Sequence, residues 1–422
     1  MSPQMHPENL ERLTFLNPDI AHTIAETFGT PTYVYDESTL KARALQALAF
    51  SAPYGLTVRY AMKANPLASI LRIFLRQGIK IDASSGHEAV RAMRAGFAPS
   101  DIMITSQQIP DDLKQLCEQG VQYNATSLHQ LKTYGNLHPG TSVSIRVNPA
   151  IGSGHSQKTN TGGPTSSFGI WHEQLDTARD IASEHNLTIT KLHTHIGSGT
   201  DPKVWVKAAR LTLAIAKTLP DVHTISLGGG FKVARMATDL ATNLAEISPA
   251  IARLITDIAS ETGRKLHLEI EPGTYLVANA GAILAQVIDI TNTGANGHTF
   301  LKLNTGLTEI MRPSLYAAQH PIIVLGDSAI SARYVVVGHT CESGDLLTPS
   351  PTSPDQLAER TLSTANIGDL AIIEGTGAYC AAMSAGGYNS FPVAPQIMLN
   401  ENREPVLVAR GVSLDEMLSR EL

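Results

Sequence analysis

The chain has 422 residues, 43% of them hydrophobic and 17% charged, which suits a globular protein of two domains, one of them large. A net charge of −6 offers no electrostatic reason to expect nucleic acid or an anionic membrane as partner. No apolar run approaches the roughly 20 residues that cross a bilayer. Met1–Leu10 is polar, contains prolines and lacks the basic-then-apolar pattern of a leader. Cys117, Cys341 and Cys380 form no CxxC pair, so a reducing cytoplasmic location is expected.

Thr32–Tyr35 is strand-like. From there the chain alternates β-rich runs, small polar clusters and helical stretches. The runs are Val58–Met62, Gly78–Ala83, Asp101–Ser106, Val121–Thr126, Ser142–Asn148, Thr188–Ser198, His223–Gly230 and Lys265–Gly273. Helical patterns between them include Pro66–Gln77, His87–Gly96, Pro110–Gly120, Glu173–His185 and Pro202–Leu219. Eight such repeats predict a (β/α)8 TIM-type barrel over 38–280. A doubly wound sheet also alternates, but it rarely needs eight parallel strands. Ile151–Ser167 is long, glycine-rich and aperiodic, and reads either as a lid or as an ordinary insertion.

After Ala280 the pattern changes. Gly281–Thr291, Thr299–Leu303, Ile322–Leu325, Ala332–Val337, Asp369–Glu374 and Gln396–Leu399 read as strands, several with the alternation of a half-buried antiparallel sheet. We expect a β-rich second domain, 281–422 joined by 1–37, with a Pro/Ser-rich surface loop within Thr348–Leu362.

Unusual residues gather where barrel strands end, the face on which such barrels carry their sites. Lys63 closes an apolar strand; partial desolvation would favour the neutral amine that attacks an aldehyde, whereas the plain alternative is a lysine snorkelling from the rim. Gly228-Gly229-Gly230 and Glu271-Pro272-Gly273 follow strands seven and eight, where barrels commonly bind phosphate. His193 and His195, two apart, would face one way; they lack a third ligand of metal-like spacing and read as cofactor-stacking or structural. Glu271 reads as the partner of a pyridine nitrogen or as a rim salt bridge. In the second domain, Cys341 beside Glu342 suits proton donation and amine binding, although a lone cysteine is more often inert. Arg312, near Tyr316, could grip a carboxylate bidentately.

YAMKAN (Tyr60–Asn65), DASSGHE (Asp82–Glu88), RVNP (Arg146–Pro149), HTHIGSG (His193–Gly199), LGGGF (Leu227–Phe231), EPG (Glu271–Gly273), MRPSLY (Met311–Tyr316), CESGD (Cys341–Asp345) and GGYNS (Gly386–Ser390) occur in this order. Together they resemble the fold-type III decarboxylases that depend on pyridoxal 5'-phosphate (PLP), and most closely the branch acting on diaminopimelate. The resemblance implies decarboxylation of meso-diaminopimelate to L-lysine, the last step of lysine biosynthesis. It implies that Lys63 is the Schiff-base lysine, that His195 stacks on the cofactor ring and that Glu271 pairs with the ring nitrogen. Ser198, Gly230, Gly273 and Tyr388 would surround the phosphate. Arg312, Tyr316, Glu342 and Tyr388 would bind substrate, and Cys341 would reprotonate its carbon. It also implies a homodimer in which Cys341 and Glu342 reach the partner's site.

Two positions depart from the family pattern. Thr274 stands where EPG is often followed by an arginine that helps bind the substrate's distal end, and Ser167 stands where the lid usually ends in Lys-Phe-Gly. The first allows a different distal group, as in another diamino acid or a carboxylated polyamine or siderophore precursor, or compensation by Arg312 or by Lys158 of the loop. An alanine racemase-like enzyme and a non-catalytic PLP-binding protein share the plan, but Cys341 in CESGD separates this chain from both.

Overall fold

The computed structural model describes residues 11–152, 161–195, 197–326 and 330–422. The chain forms two compact units. One takes Lys41–Val233 and Leu240–Leu276; the other takes Met1–Leu40, Ala234–Asp239 and Val277–Leu422.

The first unit is a closed parallel barrel. Its eight strands are Leu56–Ala61, Lys80–Ala83, Ile102–Ile104, Gln122–Ala125, Ser142–Asn148, Thr188–His193, Thr224–Ser226 and His267–Ile270. Each pairs in parallel with its sequence neighbour, and Leu268–Ile270 pairs with Leu56–Val58 to close the ring. All eight expected runs are present. Most are shorter than expected, because the glycine and polar residues at their ends belong to the mouth. A two-residue strand, Ile170–Trp171, pairs in parallel with the last two residues of the fifth, Val147 and Asn148.

The helices start where side chains can cap them. Ser85 accepts from Glu88 N before Gly86–Ala95, and Ser127 accepts from Gln130 N before Leu128–Leu137. Leu244–Thr262 starts on Asn243 and stops at left-handed Gly263. It buries Leu244, Ile247, Ile251, Leu254, Ile255 and Ile258, the three-four spacing of one helical face.

The second unit is built on a nine-stranded sheet. Thr32–Asp36 lies at its centre, antiparallel to Gly281–Asn292 and parallel to Gln396–Leu399. Thr299–Leu303 also pairs in parallel, with Ser331–Val337, so the sheet is mixed rather than wholly antiparallel. Helix Pro18–Phe28, capped by Asn17, lays Ala21 and Ile24 on a core with Val34, Leu284, Ile372 and Ile397. Burying a side chain such as Ile24 is worth about 1.5–3 kcal/mol. The expected Pro/Ser-rich loop is instead a hairpin, Pro349–Ser350 with Ser353–Leu357, followed by strand Arg360–Ser363. Its prolines occupy a short two-stranded ribbon and its turn, where few backbone donors are required.

Among the described residues no helix is long and apolar enough to cross a membrane.

Candidate active site

Lys63 lies in a 3-10 turn, Met62–Ala64, that continues the first barrel strand. The turn is pinned on both sides: Tyr60 OH donates to Asn65 O at 2.9 Å, and Ala61 N donates to Pro272 O at 3.2 Å. Met62 and Ala64 are buried while Lys63 is exposed, so the chain itself does not supply the desolvation expected from sequence. The Lys63 ammonium acts electrostatically on Asp82, Glu88, His193 and His195, which places it over the mouth rather than on the outer wall.

Below it lies a buried polar cluster. Ser226 Oγ donates to Glu271 Oε1 at 2.7 Å and accepts from Gly228 N at 3.2 Å. His193 Nε2 stands 3.2 Å from Glu271 Oε2, although not aligned as a hydrogen bond. Asn124 fixes the histidine's tautomer. Its Oδ1 accepts from Ser144 Oγ at 2.8 Å, so its amide donates to His193 Nδ1 at 2.7 Å and leaves the proton on Nε2. Burial, reinforced by the Arg146 charge, holds His193 neutral, well below its ordinary value. Burial also raises the Glu271 carboxyl, against the opposing pull of Ser226.

The strand containing His193 ends at that residue, so the histidine pair is not two successive positions on one strand face. The rings nevertheless lie 6.4 Å apart at 39°. His195 Nδ1 accepts from Gly229 N at 3.2 Å, and burial first, then Arg146, keeps it neutral. A flat, uncharged ring held by a backbone donor is suited to stacking. Gly230, at φ +96°, lets the seventh strand's end meet the sixth's: a methyl there would stand 1.6 Å from Gly197 O. Ser198 and Gly273 border the same mouth, Gly273 packing against Ala61 and Ala64.

Besides Asn124 and Ser226, sequence reasoning missed two charged members of the cluster. Asp82, within DASSGHE, is buried with Oδ1 unpartnered among the described residues, and burial together with Glu271 lifts its carboxyl to about 8. Arg146 is buried beside Glu271 and Asp82; burial lowers it to about 10 despite those carboxylates. The signal was a charged residue at an inward position of a barrel strand. The loop after the fifth strand returns onto this arginine: Phe168 lies 4.9 Å beneath its guanidinium, and Asn148 exchanges two 2.9 Å hydrogen bonds with Gly163. Lys158 and the middle of that loop lie outside the described residues.

The β-rich unit gathers the other candidates. Arg312 begins a short helix, Arg312–Tyr316, and its Nε donates to His320 Nε2 at 3.3 Å. Tyr316 OH lies 4.0 Å from Met383 Sδ. The CESGD loop is anchored by buried Asp345, which accepts from Leu307 N, Thr340 N and Thr340 Oγ1 at 2.8, 3.0 and 2.6 Å. That leaves Cys341 and Glu342 exposed. Cys341 N donates to Asn389 Oδ1 at 2.8 Å, and Tyr388 OH donates to Glu342 Oε2 at 3.5 Å. Glu342 is held below its ordinary value, first by the Gly344 amide at 3.0 Å. Cys341, Glu342 and Tyr388 thus form one constellation; Arg312, Tyr316 and His320 form another.

The barrel mouth offers a lysine, a neutral ring, buried carboxyls with an unpartnered oxygen, and glycine backbone. That donor set fits a phosphorylated pyridine aldehyde. Residues 39–278 match the family of pyridoxal-dependent decarboxylases through its pyridoxal binding domain. The diaminopimelate decarboxylase of Escherichia coli (strain K12) is 34% identical, over 94% of this chain and 94% of its own. That of Methanothermobacter thermautotrophicus is 32% identical, over 93% and 92%. A crystal structure of a diaminopimelate decarboxylase, 33% identical, superposes with a TM-score of 0.88 over 96% of each chain. One from Helicobacter pylori complexed with L-lysine, 25% identical, gives 0.84 over 95% of this chain and 98% of its own. The chain belongs to the pyridoxal-dependent decarboxylases and, within them, to the diaminopimelate decarboxylase family.

Proposed function

We propose that this enzyme binds PLP and decarboxylates meso-diaminopimelate to L-lysine and carbon dioxide, closing lysine biosynthesis. The observation that carries this reading is Glu271, buried at the floor of the barrel mouth beneath Lys63, with its carboxyl raised and its two oxygens facing Ser226 and His193. When bound, PLP supplies the electron sink for the pair released as the carbon–carboxylate bond breaks. In our reading, residues 38–280 hold the cofactor, and 1–37 with 281–422 complete the site.

Lys63 would hold the cofactor through its ε-amine. His195 would cover its ring, and Glu271 would keep a proton at its ring nitrogen. Ser198, Gly230, Gly273 and Tyr388 would receive its phosphate. Arg312 would grip the substrate's distal carboxylate, and Tyr316, Glu342 and Tyr388 would bind the remainder. Cys341 Sγ would donate the proton that replaces the lost carboxylate. Exposure of Cys341 and Glu342 on the single chain supports their use in a partner's site, hence a homodimer. We place the enzyme in the cytoplasm.

Thr274 favours one further reading, a substrate with another distal group such as a different diamino acid or a carboxylated polyamine or siderophore precursor. Carbon dioxide release by the PLP-loaded enzyme decides between them. Diaminopimelate should exceed lysine and ornithine by orders of magnitude, since a site built around a carboxylate rejects substrates that lack it; equal turnover sinks the first reading. Lys63→Ala should abolish activity and the visible cofactor absorbance. Mixing Lys63→Ala with Cys341→Ala should restore activity if sites are shared; no recovery in verified mixed dimers rejects the sharing.

A further inference from the structure

We propose that Arg235 is the second guanidinium of the distal-carboxylate site, the group that takes over where Thr274 offers no charge. The inference rests on the decarboxylase reading above.

Arg235, Arg312, His320 and Cys380 converge within the β-rich unit. Arg235 and Arg312 each depress the proton affinity of His320, and both act on the buried Cys380 thiol. The end of strand Leu370–Glu374 organises them. Glu374 O accepts from His320 Nδ1 at 2.9 Å, so Nε2 carries the lone pair that receives Arg312 Nε. The next carbonyl, Gly375 O, accepts from Arg235 Nε at 2.9 Å. Gly375 has φ +69°, and a methyl there would lie 2.9 Å from Arg235 Cγ and Cδ. The missing side chain is what lets the arginine stem lie along the strand end. Both guanidinium groups are therefore held through Nε, which leaves their terminal nitrogens to grip something else.

Among the described residues no carboxylate pairs with either guanidinium, although Asp239 acts on Arg235 from nearby. His320 is kept neutral by burial and by the surrounding arginines, and burial first raises the Cys380 thiol to about 11. Arg235 Nη2 is buried without a hydrogen-bond partner among the described residues. The neighbouring carboxylates are engaged elsewhere. Glu374 accepts from Thr14 N and Oγ1, Asp239 accepts from the backbone amides of Arg235 and Met236, and Glu11 faces Arg360 and Asp239. Two like charges that repel each other, one with a buried donor lacking a partner among the described residues, are costly unless an anion completes them. A carboxylate matches the two free guanidinium edges.

The test compares two ligands that differ by one carboxylate, L-lysine and 1,5-diaminopentane, titrated calorimetrically into the PLP-loaded enzyme. Wild type should prefer L-lysine. Arg235→Gln should lower that preference on the order of 100-fold, the loss of charge-assisted hydrogen bonds, and Arg235→Lys should lower it about tenfold. A merely structural arginine would weaken both ligands alike. An unchanged preference in either variant that melts like wild type overturns the assignment, as does a wild type that shows no preference. Carbon dioxide release from meso-diaminopimelate reports separately on the decarboxylase reading. An enzyme that releases none, yet shows the Arg235-dependent preference, breaks that reading and leaves the carboxylate site standing.

Discussion

Glu269 and Glu271 stand two residues apart at the end of the eighth barrel strand, both buried, and their carboxyls move in opposite directions. Burial would raise Glu269, but Arg59 at 3.1 Å and Lys191 at 2.8 Å outweigh it and bring the carboxyl down to about 2. Glu271 has a serine and a neutral histidine as its nearest partners, with Arg146 pulling it down without forming an ion pair, and burial wins. The deeper acid closes a satisfied ion triad with Arg59 and Lys191. The acid at the mouth makes no ion pair with a lysine or arginine among the described residues, which suits a group reserved for a ligand. Neighbouring carboxylates on one strand thus divide between holding the barrel together and serving chemistry.

The largest expected effect breaks the deeper triad. Glu269→Gln leaves Arg59 and Lys191 buried without their carboxylate and should cost about 3–5 kcal/mol in denaturant unfolding at neutral pH. Because folding lowers this carboxyl from 4.5 to about 2, its stabilisation is present above pH 4.5 and is lost as pH falls through about 2. The gap between wild type and variant should therefore close in strong acid; a gap independent of pH would contradict the triad's role. Glu271→Gln should act the other way. It should lower kcat about 10²–10³-fold, as loss of one preorganised electrostatic group does. A raised carboxyl costs stability once pH exceeds its unfolded value, so the cofactor-free variant should match or exceed wild type in unfolding at pH 8. A variant as unstable as Glu269→Gln would erase the contrast. The smallest effect is expected from Ser226→Ala, which removes the donor to Glu271 Oε1. A single hydrogen bond to a charged group predicts about a tenfold loss in kcat, with the acidic limb of the pH–rate profile shifted upward.

The barrel was legible because each strand is a short apolar run bounded by glycine or polar punctuation, and eight such runs survive local reading. Lys63, His195 and Glu271 were legible for a related reason: residues at strand ends fall on one face of any such barrel. The hairpin Pro349–Leu357 was not, since prolines and serines read as loop whenever pairing depends on a partner a few residues away. Asp82, Asn124 and Arg146 were not singled out either, because an inward polar or charged residue on a strand looks like any other polar residue until the ring closes around it.

Local patterning and ordered motifs settled the strand count, the cofactor and the family, since these depend on residue type and spacing along the chain. Only the tertiary structure decided which acid is ion-paired and which is not, because burial and charge act through space. Glu269 and Glu271 have the same side chain and nearly the same position, and their difference comes from Arg59, Lys191, His193 and Ser226 on other strands. The same holds for Arg235: far from Arg312 in sequence, it acts on the same buried histidine and thiol, within a cluster oriented by two carbonyls of one strand end.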